Sequence, residues 1–387
     1  MAKKIAVKFF LGTIPFFWEC SQMVIFEKSG FIPRNMKTKY TSIIDIAKQL
    51  NISKSTVSRA LTGHPNVNPR TRKAVLDLAQ EMDYQKNSLA LGLSLHQTNT
   101  IGILVPEFMS TYFPSVILGA QEVFQAEGYQ TVICHNNESY DAEVANVKLL
   151  LSYRVDGIIA SHTKETRNFD HFRMVQRHGI PLVLFNRVSE ELNAPNVVID
   201  DYAAAMTAVE HLIKTGRRRI AHLAGPDSLI NSRLRSQGYL DALKKHKIPV
   251  DPALMLSYDL SIEKVRIYMK HFLDLPQPPD ALFAINDPTA IAAMEVVKEK
   301  GLRIPDDIAV VGFSNDFSAQ LVSPSLTTVS QPTMDIGRES ARLLLGEMKL
   351  KGDYSARKAP CVQLKTKLIV RDSSVKKEES GAKRKRG

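Results

Sequence analysis

Short apolar runs alternate with helical stretches through most of this chain, and this alternation constrains the fold more than any other feature. The runs are rich in Val and Ile and nearly continuous, as in strands that are buried on both faces. They are IGILV (101–105), TVICH (131–135), GIIAS (157–161), PLVLFN (181–186), NVVID (196–200), IAHLAG (220–225), ALFAIN (281–286) and IAVVGFS (308–314).

Amphipathic helical segments separate these runs, and strand–helix alternation predicts parallel sheets covered by helices on both faces. The strands are too many for one small sheet. We therefore expect an α/β core of two doubly wound parallel sheets, with lobes that start near residues 100 and 200. Ligands of such sheets bind beyond the carboxyl ends of the strands, which predicts a site in the cleft between the lobes. The helices are predicted at 115–127, 141–151, 202–215, 232–246, 261–273, 287–300 and 333–348.

A different, all-helical pattern precedes residue 100. SIIDIAKQL (42–50) has the apolar spacing of an amphipathic helix, with Ser42 as its N-cap. The next stretch, NISKSTVSRAL (51–61), predicts a second helix over 54–61 that is capped by Ser53. A third helix, at about 69–82, begins with Pro69, a favoured first residue.

The second of these helices has a polar outer face. It offers only Val57, Ala60 and Leu61 to a core. Two short helices joined by a tight turn are typical of a helix-turn-helix, whose second helix enters the major groove of DNA. Lys54, Ser55 and Arg59 are donors suited to base edges and phosphates, whereas Thr56 and Ser58 suit phosphate contact or packing; an ordinary surface helix is the alternative.

Charge is distributed unevenly along the chain. The formal net charge is +11, and residues 36–95 carry nine Lys or Arg against four Asp or Glu. The ends, 1–35 and 376–387, are also basic, so the long body between is close to neutral. A basic module on a neutral body indicates a polyanion as the partner of that module.

The sequences of both ends predict segments that lie outside the folded domains. Residues 1–35 begin with a basic stretch and apolar runs, but Lys8, Pro15 and Glu19 leave no apolar span of membrane-crossing length. We expect this segment to be an over-extended start or a dispensable arm, and we expect no membrane partner. Residues 372–387 are predicted to be a basic, disordered tail.

Motifs for enzymatic chemistry are missing from the sequence. There is no phosphate-binding loop, no dinucleotide fingerprint, no nucleophile elbow, and no metal-type spacing among the ten His and three Cys. The carboxylate pair Asp200–Asp201 lies where a strand leads into a helix, so capping explains it. We therefore expect no enzyme, no cofactor and no metal site. The scattered cysteines suit a reducing cytosol.

The chain resembles the lactose-repressor family of bacterial helix-turn-helix transcription regulators. The residues that carry the likeness run from SIIDIAKQLNISKSTVSRALTG through VNPRTRKAVLDLAQEMDYQKNSLALGL, TIGILVP, VDGIIAS, HLAGP, SRLRSQGYLDAL and AINDPTAIAAMEVVKEKGLRIPDDIAVVGF to SPSLTTVSQP. The resemblance implies a helix-turn-helix head at 36–86, a hinge or linker at 87–99 and a two-lobed, periplasmic-binding-protein-like core at 100–371 that binds effector and dimerises.

The resemblance also implies roles for residues of the head and hinge. Lys54 and Ser55, which open the recognition helix, would choose operator bases, with Arg59 in support. The hinge segment NSLALGLS would place Asn87 on DNA and wedge Leu93 into the minor groove. The segment departs from the family pattern, because Leu91 stands where an Arg is usual.

In the core, the resemblance implies an effector site between the lobes. Its expected residues are Tyr112, Phe113, Ser161, Arg233, Asn286, Asp287 and Ser314. Arg233 matches the family arginine that reaches the effector, and Arg235 is expected on the surface. Ser314 stands where many sugar-responsive members have Asp, which places a carboxylate clamp on a sugar in doubt.

Together these features predict a ligand-responsive transcription regulator in the cytoplasm, at the nucleoid. We expect a repressor that binds a pseudo-palindromic operator as a homodimer. A small molecule in the cleft, a sugar or sugar derivative rather than a nucleobase, would control its affinity for double-stranded DNA. The alternative is a periplasmic-type solute receptor with the same two-lobed fold. The basic helix-turn-helix argues against that alternative.

Overall fold

The computed structural model describes residues 41–84, 97–350 and 358–375. The chain divides into two compact units, Met1–Lys86 and Asn87–Gly387. The predictions for the first 35 residues, for the hinge residues Asn87 and Leu93 and for residues 376–387 of the tail lie outside the described residues. The prediction of a disordered tail from residue 372 is corrected for 372–375, because Ser373 and Ser374 are buried and the Ser373 hydroxyl accepts from the Thr327 N–H at 2.8 Å.

The described part of the first unit, residues 41–84, contains three helices, and the predicted caps of the first two are confirmed. Ser42 accepts a hydrogen bond from the Asp45 backbone, and Asp45 in turn accepts one from the Ser42 N–H, which is a capping box. The Ser53 hydroxyl accepts from the Thr56 N–H at 3.1 Å. The helices are α1 (Ile43–Gln49), α2 (Lys54–Leu61) and α3 (Pro69–Glu81).

A small apolar core holds these helices together. Val57 of α2 is fully buried, as are Ile46 of α1 and Val75 of α3. The turn between α1 and α2 is closed by Asn51 in the left-handed backbone region, with φ of 51°. Because the apolar contacts of α2 with the described residues all lie on one side, its other side is exposed.

The second unit has two lobes, and lobe 1 is built on a six-stranded parallel sheet. Its strand order is β2-β1-β3-β4-β5-β11. The strands are β1 (Thr100–Val105), β2 (Gln130–His135), β3 (Gly157–Ala160), β4 (Leu182–Phe185), β5 (Asn196–Ile199) and β11 (Cys361–Leu364). The helices of this lobe are α4 (Tyr112–Ala126), α5 (Tyr140–Ser152), α6 (Asp170–Arg177) and α11 (Thr333–Lys349).

Lobe 2 contains a second six-stranded sheet, ordered β7-β6-β8-β9-β10-β12. All of its strands are parallel except β12, which pairs antiparallel with β10. The strands are β6 (Ile220–Ala224), β7 (Met255–Ser257), β8 (Ala281–Ala284), β9 (Ala309–Ser314), β10 (Thr327–Ser330) and β12 (Lys367–Ile369). Its α-helices are α7 (Asp201–Lys214), α8 (Ile230–Lys245), α9 (Ile262–Leu273) and α10 (Asp287–Glu299).

Within the described residues the chain crosses between the lobes three times, after β5, after β10 and between β11 and β12. The predicted two-sheet fold is confirmed, but α11 and β11 return to lobe 1, which the apolar pattern did not predict. Two glycines show how closely α11 packs on α4. A Cβ atom on Gly119 would lie 2.1 Å from the Met334 carbonyl oxygen, and one on Gly337 would lie 2.0 Å from that of Val116. Only glycine permits this approach of the two backbones.

Candidate nucleic-acid interface and ligand cleft

The outer face of α2 is polar, basic and free of packing. Lys54, Ser55, Ser58 and Arg59 are exposed, as the sequence predicted for a face that contacts DNA. Thr56 is half-buried, and its hydroxyl lies 2.8 Å from that of Ser53. The first turn contains no acidic residue, so the free N–H groups and the Lys54 ammonium present an uncompensated positive end.

A cavity of about 520 Å³ lies between the two lobes of the second unit. This volume is in the range of small-molecule sites. Its lining residues come from the loops and helices that follow the carboxyl ends of strands in both sheets, which is where parallel sheets bind ligands. They include Tyr112, Phe113, Glu138, Lys164, Asn186, Arg187, Asn231, Arg235, Asn286, Ser314, Asp316 and Gln331.

Of the two arginines of α8, Arg235 faces the cleft, and the predictions for both are therefore corrected. Arg235 is 5% exposed and lines the cavity. Arg233 is exposed and donates to the carbonyl oxygen of Asp227 at 2.8 Å. Two positions along a helix are separated by about 200°, so only one of them can face inward.

Arg235 is held rigidly by three parts of lobe 2. Its Nε donates to Oδ1 of the buried Asp201 at 2.8 Å, and its Nη1 donates to the Ile285 carbonyl oxygen at 2.7 Å. The guanidinium carbon lies 3.6 Å from the ring centroid of Phe313. The neighbouring carboxylates Asp200 and Asp201 therefore have different roles. Asp200 caps α7, as expected, whereas Asp201 forms an ion pair with Arg235.

The predicted aromatic pair lines the cavity. Tyr112 and Phe113 open α4 and are both buried, with ring centroids 5.1 Å apart in an edge-to-face arrangement. Burial, with Asp201 nearby, raises the pKa of Tyr112, so its phenol stays neutral and can donate a hydrogen bond. The two rings give the cleft a flat apolar wall.

A second ion pair in the cleft was missed by sequence reasoning. Nη1 and Nη2 of Arg187 each donate to one Glu138 oxygen at 2.8 Å, which is a bidentate pair. Burial opposes ionisation of Glu138, but the Arg187 guanidinium holds its pKa below the ordinary value. Arg187 is the second residue after β4, in LFNRV, so its place after a strand was a usable signal.

Two other predicted residues face the cavity. Asn286 lines it and also caps α10, because its Oδ1 accepts from the Thr289 N–H at 2.9 Å. Ser314 lines it at the end of β9, and its hydroxyl accepts from Gln331 Nε2 at 3.1 Å.

The predictions for Asp287 and Ser161 as lining residues are wrong. Asp287 is fully buried beneath the loop after β9, where it accepts from the Thr328 hydroxyl at 2.6 Å and from the Asp316 N–H at 2.7 Å. Ser161 is also fully buried, and its N–H donates to the Leu104 carbonyl oxygen of the neighbouring strand. A position at a strand end does not tell whether a side chain faces the cleft or the lobe interior.

Two family models match the chain. Residues 42–87 match "Bacterial regulatory proteins, lacI family", and residues 209–374 match "Periplasmic binding protein-like domain". HTH-type transcriptional repressor CytR of Escherichia coli (strain K12) is 34% identical over 308 residues, which cover 79% of this chain and 89% of that protein. The chain belongs to the lacI family of bacterial regulatory proteins.

Solved structures of lacI-family regulators agree with this membership. The Lac repressor dimer bound to operator and the anti-inducer ONPF matches with a TM-score of 0.75 and 26% identity, covering 87% of this chain and 100% of that one. The transcriptional regulator CelR–cellobiose complex matches with a TM-score of 0.65 and 30% identity, covering 86% and 99%. This lacI-family chain is a ligand-responsive, DNA-binding transcription repressor, and its relatives are regulators rather than enzymes.

The described residues contain neither a metal-binding cluster nor a membrane-spanning helix. No group of His, Cys, Asp or Glu side chains in these ranges is arranged to hold a metal ion. Across the same ranges, no helix combines the length and the apolar character that a membrane span needs.

The buried carboxyl of Asp287 predicts a pH dependence of stability. Burial raises its pKa from 3.8 to about 6. Between these values the folded state binds the proton more tightly than the unfolded state, so the free energy of unfolding falls as pH rises through this window. Relative to that of Asp287→Asn, the free energy of unfolding of the wild type should fall by up to about 3 kcal/mol from about pH 4 to about pH 7, as measured by urea unfolding.

A matched control is Asp170→Asn at the start of α6. Asn168 and Arg173 lower the pKa of this exposed carboxyl, so its contribution to the free energy of unfolding is constant above about pH 4. The slope of that free energy against pH should therefore be the same in Asp170→Asn as in the wild type. Parallel pH profiles for the wild type and Asp287→Asn would contradict this assignment.

Proposed function

We propose that this repressor binds a pseudo-palindromic operator as a homodimer and that a sugar-like molecule in the interlobe cleft controls its affinity for DNA. The observation that carries the proposal is the cavity itself, which is walled by aromatic rings and lined by side chains that both lobes hold in fixed orientations. A ligand that contacts both lobes stabilises one arrangement of the lobes over others.

The head would read DNA through α2. Lys54 and Ser55 would contact base edges in the major groove, and Arg59, Thr56 and Ser58 would contact phosphates or support those contacts. Asn87 and Leu93 of the hinge would add contacts in the minor groove. In this proposal residues 36–86 are the head, 87–99 the hinge and 100–371 the core, and the protein acts in the cytoplasm without catalysis.

The buried arginines of the cleft favour an uncharged effector. Its two buried arginines, Arg187 and Arg235, are each paired with a carboxylate, and Ser314 replaces a possible third carboxylate. Each guanidinium retains N–H groups for hydroxyls, while its charge is already compensated. A neutral sugar or glycoside, with one face on Tyr112 and Phe113, fits these conditions. The CelR–cellobiose complex, a neighbour in structure, contains such a ligand.

Exposed apolar side chains support a homodimer. In lobe 1, Leu118 on α4 and Ile133 on the edge strand β2 are exposed, and in lobe 2 Phe317 and Leu321 are exposed as well. Contiguous apolar patches on a surface are typical of contact sites, and these side chains would contribute to such patches in a homodimer. A two-fold pair of heads would match the two half-sites of a palindromic operator.

The DNA-binding proposal predicts that Arg59→Ala weakens operator binding at least tenfold, because a charge-assisted phosphate contact contributes about 1.5–3 kcal/mol. The slope of log affinity against log salt should also fall by about 1. The measurement is fluorescence anisotropy with a genomic fragment selected by the wild-type protein. Lys73→Ala, which removes an exposed charge from α3, is the matched control and should retain affinity. Equal losses for both variants would show that α2 has no special role.

The cleft proposal predicts different outcomes for the two arginines of α8. A thermal-shift panel of sugars, sugar acids and nucleosides, with cellobiose and ribose included, should contain a compound that raises the Tm of the wild type by roughly 5 °C at saturating concentration. Arg233→Gln should keep this shift. Arg235→Gln should lose it, and Arg235→Lys, which keeps the charge beside Asp201 but loses the planar fork, should weaken it.

The ligand-induced shift is the quantity to compare, because Arg235→Gln also leaves Asp201 without its buried partner and lowers the Tm by itself. A shift that survives in Arg235→Gln and disappears in Arg233→Gln would refute the placement of the effector.

A further inference from the structure

The helix that carries the aromatic wall of the cleft has no cap of its own. Thr111 precedes α4, and its side chain makes no capping hydrogen bond within the helix. Instead, Oδ2 of Asp316 accepts from the Thr111 N–H at 2.8 Å and from the Thr111 hydroxyl at 2.7 Å. Asp316 follows β9 in lobe 2, whereas α4 belongs to lobe 1. A carboxylate of one lobe therefore caps the positive end of a helix of the other.

The Asp316 carboxylate is fixed in place by its own loop. Its second oxygen, Oδ1, accepts from the Ser318 N–H at 3.0 Å and from the Ser318 hydroxyl at 2.7 Å. Its backbone N–H donates to the buried Asp287 at 2.7 Å. Burial acts to raise the pKa of Asp316, but the hydrogen bonds from Ser318 and Thr111 hold it below its ordinary value, so the group is charged at neutral pH.

The backbone before Asp316 is unusual in a way that aims this side chain. Ser314 and Asn315 have φ of 130° and 57°, in a region that non-glycine residues rarely adopt. Side chains around the loop keep it there: the Asn315 N–H donates to the Thr328 hydroxyl at 3.2 Å, and Arg371 donates to Asn315 Oδ1 at 2.7 Å. Strain of this kind persists only where the surroundings determine the conformation, and it is typical of functional positions.

The cap is also continuous with the ligand site. Asp316 itself lines the cavity, and Thr111 is followed at once by Tyr112 and Phe113. Ser314, two residues before Asp316, lines the cavity from lobe 2. Separation of the lobes would break both hydrogen bonds to Thr111 and withdraw the aromatic wall from the residues it faces.

We propose that Asp316 is an interlobe helix cap, a positioning residue that holds the two lobes together and keeps Tyr112 and Phe113 against the cavity. The role in positioning the aromatic wall for an effector rests on the proposed function. The cap itself is a property of the protein without ligand or DNA, so its test is independent of both.

A second set of interlobe contacts gives a separate reporter of closure. Lys164 of lobe 1 donates from Nζ to the Asp259 carbonyl oxygen of lobe 2 at 2.7 Å. The Ser228 hydroxyl of lobe 2 donates to the Lys164 carbonyl oxygen at 2.9 Å. If Asp316 only capped α4 locally, its loss would leave the segment around Ser228 unchanged.

The test is amide hydrogen exchange of the full chain without ligand, compared for the wild type, Asp316→Asn and Asp170→Asn. We expect Asp316→Asn to exchange about tenfold faster in residues 110–116, which corresponds to about 1.4 kcal/mol. It should also exchange faster in residues 226–233, around the second interlobe contact. Asp170→Asn removes an exposed carboxylate from the start of α6 in lobe 1 and should leave both segments at wild-type rates.

Thr111 provides a second pair of variants that leaves the Asp316 loop intact. Thr111→Val removes the hydroxyl donor and should accelerate exchange in both segments, whereas Thr111→Ser keeps the donor and should match the wild type. Unchanged exchange in Asp316→Asn and Thr111→Val would overturn the proposal. Faster exchange confined to residues 110–116 would also overturn it, because the cap would then be local and would not hold the lobes.

Discussion

The ligand-binding half of the molecule depends on the contacts of one buried guanidinium, that of Arg235. It joins Asp201 at the start of α7, the carbonyl oxygen of Ile285 after β8 and the ring of Phe313 in β9. These three elements are far apart in sequence, and they meet around Arg235 at the ligand cavity. A buried ion pair of this kind adds little net stability, but loss of one partner costs about 3–5 kcal/mol because the other charge remains buried. Its evident use here is to fix where the N–H donors of the cleft point.

The two units use basic residues in opposite ways. In the head, Lys54 and Arg59 are exposed on one face of α2, where their charge is available to a polyanion. In the core, Arg187 and Arg235 are buried and each is neutralised by a carboxylate. The first arrangement suits phosphate and the second suits hydroxyl groups, so the distribution of charge separates the DNA-binding surface from the ligand cleft.

Local physics made part of this structure predictable from the sequence. The caps at Ser42 and Ser53, the buried side of α2 and the main strands follow from neighbouring residues and were predicted correctly. The arginine of α8 that faces the cavity was predicted wrongly, because the choice between Arg233 and Arg235 depends on the rotation of α8 against the sheet. The interlobe cap from Asp316 to Thr111 joins residues that are distant in sequence, and no local pattern marks it.

The central claim is that occupancy of the cleft changes affinity for the operator. The most direct measurement is fluorescence anisotropy of a selected operator fragment with the full-length protein, titrated with a compound that raises its Tm. Coupling between two sites is typically about 1–3 kcal/mol, so we predict a change in operator affinity of roughly 5- to 150-fold, which Arg235→Gln should abolish. A compound that stabilises the wild-type protein through the cleft but leaves its operator affinity unchanged would contradict the account.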